Sequence, residues 1–333
     1  MQASQSLEAR RRGIGGFARQ LLNVPELGVS VAVVVFFLVF TALDSSMASP
    51  DNLARILTLA SYIGLVGLGM SALMLAGEID LSAGFMAGLA AAVASALIKQ
   101  VGWPEWAGIL AACGTAVMVG LFNSFVALVI GMPSFFTTLS SGFIVYGLTW
   151  LITQGQWIST LKVTPFLYSM TAPTSLFGLP GSVLVYLGLV IVGDLLVRLS
   201  KVGPILSATG GNRRAADVSG INTARVKTLC FILVSVCAAW AGMFLMTASN
   251  ASDPALGYDW QLWVITIAII GGASFSGGVG TVLGAFLATI LVTVIKLGLA
   301  NAHVQTNAQS TVVGAVLIAA ALMDVARRRA KKY

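Results

Sequence analysis

Ten apolar runs divide this chain, each close to the length of a membrane crossing. They fall at about 27–43, 53–75, 81–99, 106–130, 135–154, 182–199, 226–248, 260–275, 279–299 and 307–323. A helix needs roughly 17–25 apolar residues to cross a bilayer. Inside lipid every backbone polar group must find a partner within the protein, so continuous apolar runs of this length predict helices. The composition agrees: 57% of the 333 residues are hydrophobic and 9% are charged, where a soluble domain carries about 25% charged residues. The 36 glycines suit helices that pack closely in a membrane. The expected fold is an all-α integral membrane protein of about ten transmembrane helices, with Gly-broken helices and a possible internal repeat. One membrane domain, 27–325, is expected between a basic N-terminal segment, 1–26, and a basic tail, 326–333.

Charge distribution predicts the topology. Arg10, Arg11, Arg12 and Arg19 precede the first run. Arg198, Lys201, Arg213, Arg214, Arg225 and Lys227 surround the loop 200–228, and Arg327, Arg328, Arg329, Lys331 and Lys332 follow the last run. With ten spans, fifteen of the 19 basic residues share one face, leaving Arg55, Lys99, Lys162 and Lys296. Basic residues mark the cytoplasmic side, so both termini are expected there. The formal charge of +7 is thereby a property of topology, and no nucleic-acid partner is expected. Trp103, Trp106, Trp157, Trp260 and Trp263 sit near run ends, as an aromatic belt against membrane lipid requires. Cys113, Cys230 and Cys237 lack metal or redox spacing and read as small buried hydrophobes. His303, the lone histidine, reads as a loop residue, and no metal site is expected.

Residues 77–82, Gly-Glu-Ile-Asp-Leu-Ser, place two acids between two apolar runs. One reading is a turn in which Asp80 caps the next helix, with Ser82 in its first turn. A second is a helix broken at membrane depth beside a polar pathway. A third is proton coupling by a buried acid. Glu78 has no assigned partner. The same region repeats: 77–94 aligns without gaps to 271–288, matching Gly77 with Gly271, Ser82 with Ser276 and Gly84 with Gly278. Paired Gly-broken segments point to a transport path. The repeat is either parallel, or the span count between its halves is off by one.

The loop 200–228 contains a Gly-Gly break and a basic, small-residue helix ended by Gly220. It reads either as a charged loop near headgroups or as a short helix that plugs into a soluble partner. Arg225 and Lys227 mark the membrane boundary, Asp194 and Arg198 pair at i,i+4, and Lys296 snorkels from a span end. No P-loop, HExxH or Gly-x-Ser-x-Gly pattern occurs. If ATP drives this protein, another chain hydrolyses it.

Three stretches, "AGEIDLSAGFMAGLAAAVASAL", "ATGGNRRAADVSGINTARVK" and "IIGGASFSGGVGTVLGAFLATILVTVIKLGL", resemble the permease subunits of bacterial ABC importers for ribose, xylose and related monosaccharides. The resemblance runs in order from about residue 52 to the C-terminus. It implies that Gly210, Gly211, Asn212, Ala215, Ala216, Ser219, Gly220 and Ile221 form a coupling segment that meets the ATPase. It implies that Gly77, Asp80, Ser82 and Gly84 border the translocation pathway opposite Gly271, Gly272, Ser274, Gly277 and Gly278. Glu78 belongs to the same segment and departs from the family pattern, which commonly has Gly there. The implied partners are an ABC ATP-binding subunit, a periplasmic or lipid-anchored sugar-binding protein and a second permease subunit. The implied site is the bacterial inner membrane. No cofactor is implied in this chain, with ATP and Mg on the partner ATPase. Two alternatives stand: a nucleoside-type ABC permease, and an ion-gradient-driven secondary transporter using Glu78, Asp80 or Asp194.

Overall fold

The structure, a computed structural model, describes residues 25–161, 163–174, 178–305 and the isolated positions 311, 312, 314, 315 and 318. Helix α1, Pro25–Leu43, lies on the outside of the bundle with most of its valines exposed. A short turn whose Asp44 carboxylate accepts the Ser46 N–H leads to α2, Pro50–Leu75. Ser49 caps α2 and Pro50 opens it, where its missing N–H costs nothing. Its 26 residues extend about 39 Å.

After a break at 76–82 the chain returns as α3, Ala83–Ser95, which continues to Gln100. Helices α4, Glu105–Ser124, continuing to Ile130, and α5, Ser134–Thr153, follow. Strand β1, Ile158–Ser159, and a short helix α6, Pro165–Thr171, lie before α7, Gly181–Leu199. Two further short helices, α8, Val202–Gly211, and α9, Arg213–Val218, precede α10, Thr223–Ala248. Strand β2, Ala251–Ser252, leads to α11, Trp260–Ile270, and a second break at 271–281 precedes α12, Val282–Asn301.

Helices α2, α3, α10, α11 and α12 form the centre, around Met70, Met74, Phe231, Val234, Val264 and Val292. Helices α1, α4, α5 and α7 surround them and expose apolar side chains, as lipid-facing helices do. The bundle has two distinct ends. One carries α8, α9 and both breaks. At the other, β1 pairs antiparallel with β2, Ile158 opposite Ser252 and Ser159 opposite Ala251. There Glu105, in the first turn of α4, accepts the Phe166 and Leu167 backbone N–H groups, both at 2.8 Å. A carboxylate from one helix thus satisfies the open N-terminus of another.

Among the described residues eight helices are long and apolar enough to cross a membrane. They coincide with eight of the ten expected runs. The run at 260–275 is shorter than expected: α11 has 11 residues, because Gly271 and Gly272 end it. The run at 307–323, the segments 1–24 and 326–333, and Lys162 lie outside the described residues. The aromatic belt holds in part. Trp103, Trp106 and Trp157 are exposed, but Trp260 and Trp263 are buried in the core because α11 packs against α2, α3 and α12. The Lys296 ammonium lies 3.0 Å from the exposed Asp259 carboxylate and over the Trp263 ring. Asp194 and Arg198 pair at 2.9 Å, as their spacing predicts.

Candidate functional site

Both breaks begin with the same local structure. Gly77, with φ +85°, donates to the Met74 carbonyl, and Glu78 N–H reaches back to Leu73. Gly272, with φ +97°, donates to Ile269, and Ala273 N–H reaches back to Ala268. This is the left-handed helix stop that glycine adopts without a Cβ penalty. Gly77 therefore corresponds to Gly272, not to Gly271, which is the helical C-cap of α11. The ungapped alignment slips further on: Gly84 is helical, whereas Gly278 lies in the longer second break. The two breaks occupy the same end of the bundle and their helices run in the same directions, so the repeat is parallel.

The breaks touch each other and α8. Gly278 N–H donates to the Leu75 carbonyl at 2.9 Å. A Cβ on Gly277 would fall 2.7 Å from Gly77 Cα and 2.8 Å from the Gly210 carbonyl oxygen. One on Gly278 would fall 2.8 Å from Gly211 Cα, and one on Gly210 would overlap the Leu75 carbonyl and approach Gly278 N to 2.7 Å. Backbone lies on backbone at Gly77, Gly210, Gly211, Gly277 and Gly278, three regions far apart in sequence. Ser274 is buried beside this junction, where its N–H donates to the Val279 carbonyl and its hydroxyl accepts the Ser276 N–H.

The first break is also held by side chains. Asp80 is fully buried. Its Oδ1 accepts the Ser82 N–H at 2.7 Å and the Ser82 hydroxyl at 2.5 Å. Asn123 of α4 donates to Asp80 Oδ2 at 3.3 Å and to Ser82 Oγ at 2.9 Å. From α5, Thr138 Oγ1 accepts the Leu81 N–H at 2.9 Å and Ser134 Oγ the Ile79 N–H at 3.4 Å. Asp80 does not occupy the N-cap position of α3. Ser82 does, with helical dihedrals and no side-chain cap bond, because its hydroxyl is turned to Asp80. Asp80 braces the turn two residues earlier, a buried carboxylate surrounded by donors.

Glu78 has a partner that sequence reasoning missed. Lys227 Nζ, on the first turns of α10, lies 2.6 Å from Glu78 Oε1, with side-chain exposures of 7% and 15%. Lys227 turns inward to this carboxylate from the first turns of α10. Of the missed residues, Asn123 left a signal, as a lone amide in the apolar run 106–130. Lys227 left none, since nothing local pairs residues 149 positions apart.

Beyond the junction the chain turns outward. Asn212 caps α9 by accepting the Ala215 N–H at 3.0 Å. Gly220, φ +84°, ends it, and Ile221 N–H returns to the Ala216 carbonyl. Ala216 is buried, but Asn212, Ala215, Ser219 and Gly220 are exposed, and Val218 is 86% exposed. Gly84 stands apart from the junction, packed against Gly257 and Gln261.

Known proteins are similar to this chain in sequence. Residues 52–321 match the family described as the permease component of the branched-chain amino acid transport system. The chain is 31% identical to the galactose/methyl galactoside import permease protein of Escherichia coli (strain K12), over 94% of this chain and 97% of the relative. It is 27% identical to the xylose transport system permease protein of the same strain, over 95% of each. It is 28% identical to the ribose import permease protein of Bacillus subtilis (strain 168), over 90% of this chain and 92% of the relative. With 270 residues matched in order and the membrane-spanning bundle intact, this chain belongs to that family of multi-pass ABC-importer permeases.

Proposed function

We propose that this chain is the transmembrane permease subunit of an ATP-driven importer for a monosaccharide or a sugar-like small molecule. The observation that carries the reading is the junction of Gly77, Gly210 and Gly277 directly behind an exposed helix. Helix α9, with Arg213, Arg214 and the protruding Val218, has the form of a plug for a groove on a separate ATP-binding subunit. A movement of α8 and α9 reaches both breaks through main-chain contact, with no soft side chain between. ATP and Mg belong to the partner. A periplasmic or lipid-anchored binding protein would deliver the sugar at the β1–β2 end, and a second permease subunit would complete the pathway. This orientation puts α9 and both termini in the cytoplasm and the chain in the bacterial inner membrane. The names of the relatives favour a sugar over a nucleoside. Ion coupling has less support, because Glu78 is paired and Asp80 is saturated with donors.

The test is reconstitution. Vesicles holding the permease, its co-encoded ATP-binding subunit and its binding protein should accumulate D-galactose, D-xylose or D-ribose only with ATP inside the compartment facing α9. Uptake that needs an ion gradient and no ATP would overturn the reading.

A further inference from the structure

An aromatic cluster stands away from the junction, halfway along the bundle. Tyr146 of α5 contacts Phe85 of α3 with ring centroids 5.5 Å apart, Tyr258 at 5.3 Å and Trp150 at 6.0 Å. Phe85 and Tyr258 meet edge to face at 5.8 Å. Tyr146 lies about 18 Å along a helix about 30 Å long, so the rings stand near mid-depth. Phe85 is buried behind the others, while Trp150 and Tyr258 are 42% and 50% exposed.

This face is unsuited to lipid. Neither tyrosine hydroxyl has a hydrogen-bond partner among the described residues, and an unpaired polar group in hydrocarbon is costly. The Gln261 side chain, one turn beyond Tyr258 and against Gly84, makes no hydrogen bond among the described residues, and its Oε1 is buried without a partner. Asp259, next to Tyr258, is exposed but already spent on the Lys296 ion pair. The surface thus offers flat rings and two unpartnered phenol hydroxyls, with the Gln261 amide close behind them. That combination fits one chemistry: the C–H face of a sugar ring stacks on an aromatic ring while its hydroxyls bind amides and phenols.

We propose that Tyr146, Trp150, Tyr258 and Gln261, backed by Phe85, form a monosaccharide-stacking subsite on the wall of the translocation pathway. The proposal rests on the sugar-permease reading above.

Two measurements on the reconstituted full complex test it. In the first, Trp150→Ala and Tyr258→Ala lower ATP-driven uptake of D-galactose, D-xylose or D-ribose at least tenfold. Copurification of the subunits and ATP hydrolysis stay within twofold, and Tyr258→Trp keeps uptake within threefold. Uptake within twofold in both alanine variants would overturn the subsite. If the unmodified complex moves none of the three sugars, it is the monosaccharide reading that falls, and the subsite with it. The second measurement does not depend on uptake. In Tyr258→Cys, with the unmodified chain as blank, a charged, membrane-impermeant thiol reagent should label the new cysteine, and sugar with binding protein should slow the labelling at least threefold. Labelling by apolar reagents alone would assign this face to lipid and refute the inference.

Discussion

The Glu78–Lys227 pair offers the sharpest test of how the first break is held. Its atoms are 2.6 Å apart and the side chains only 7% and 15% exposed. Little water reaches either charge, so removing one leaves the other in a poorly solvated place. Breaking such a pair from one side costs about 3–5 kcal/mol, whereas replacing both partners with apolar or neutral groups of similar volume is often near neutral. Glu78→Gln and Lys227→Met should therefore each destabilise the detergent-purified chain by about that amount. The double variant should be more stable than either single one. The cycle, measured by denaturant unfolding with helical circular dichroism as the signal, should give a coupling of at least about 2 kcal/mol. Single variants within about 0.5 kcal/mol of the parent, with additive effects, would mean that the pair is solvated and contributes as little as a surface ion pair does.

Three other outcomes follow from the same geometry. Gly210→Ala places a methyl group against the Leu75 carbonyl and Gly278 N, and should abolish uptake while ATP hydrolysis by the complex persists. Vesicle uptake and phosphate release, read side by side, check this. Asn123→Leu removes the donor to Asp80 and Ser82 and should cost about 1–3 kcal/mol in thermal or denaturant unfolding. Val218→Asp, on a side chain 86% exposed, should leave unfolding within about 0.5 kcal/mol and lower recovery of the ATP-binding subunit at least tenfold in pull-downs.

Much of this molecule was legible in the sequence, for identifiable reasons. A membrane helix satisfies its backbone within itself, so eight runs of apolar residues became eight helices with ends within a few residues of expectation. Gly220 and the break after Leu75 were readable because a left-handed helix stop is a local event. The meeting of Gly77, Gly210 and Gly277 was implied only as separate segments, since their contact depends on how three helix ends pack. Trp260 and Trp263 misled because a tryptophan near a span end looks alike whether it faces lipid or core. Asp80 stands two residues before the N-cap position yet still accepts the Ser82 N–H, as a local rule expects, while Asn123, over 40 positions away, adds a donor to its other oxygen that no local rule supplies.

Helix α4 has something to say about forces. Its first residue, Glu105, grips the N-terminus of α6, and Asn123, about 27 Å along the same helix, grips Asp80 and Ser82. Both grips are charge-assisted and one unbroken helical segment joins them. One helix therefore ties the two ends of the bundle together: the position of α6 at one surface and the shape of the turn at 76–82 near the other are both referenced to the same rigid segment, which is itself packed along α3 and α10.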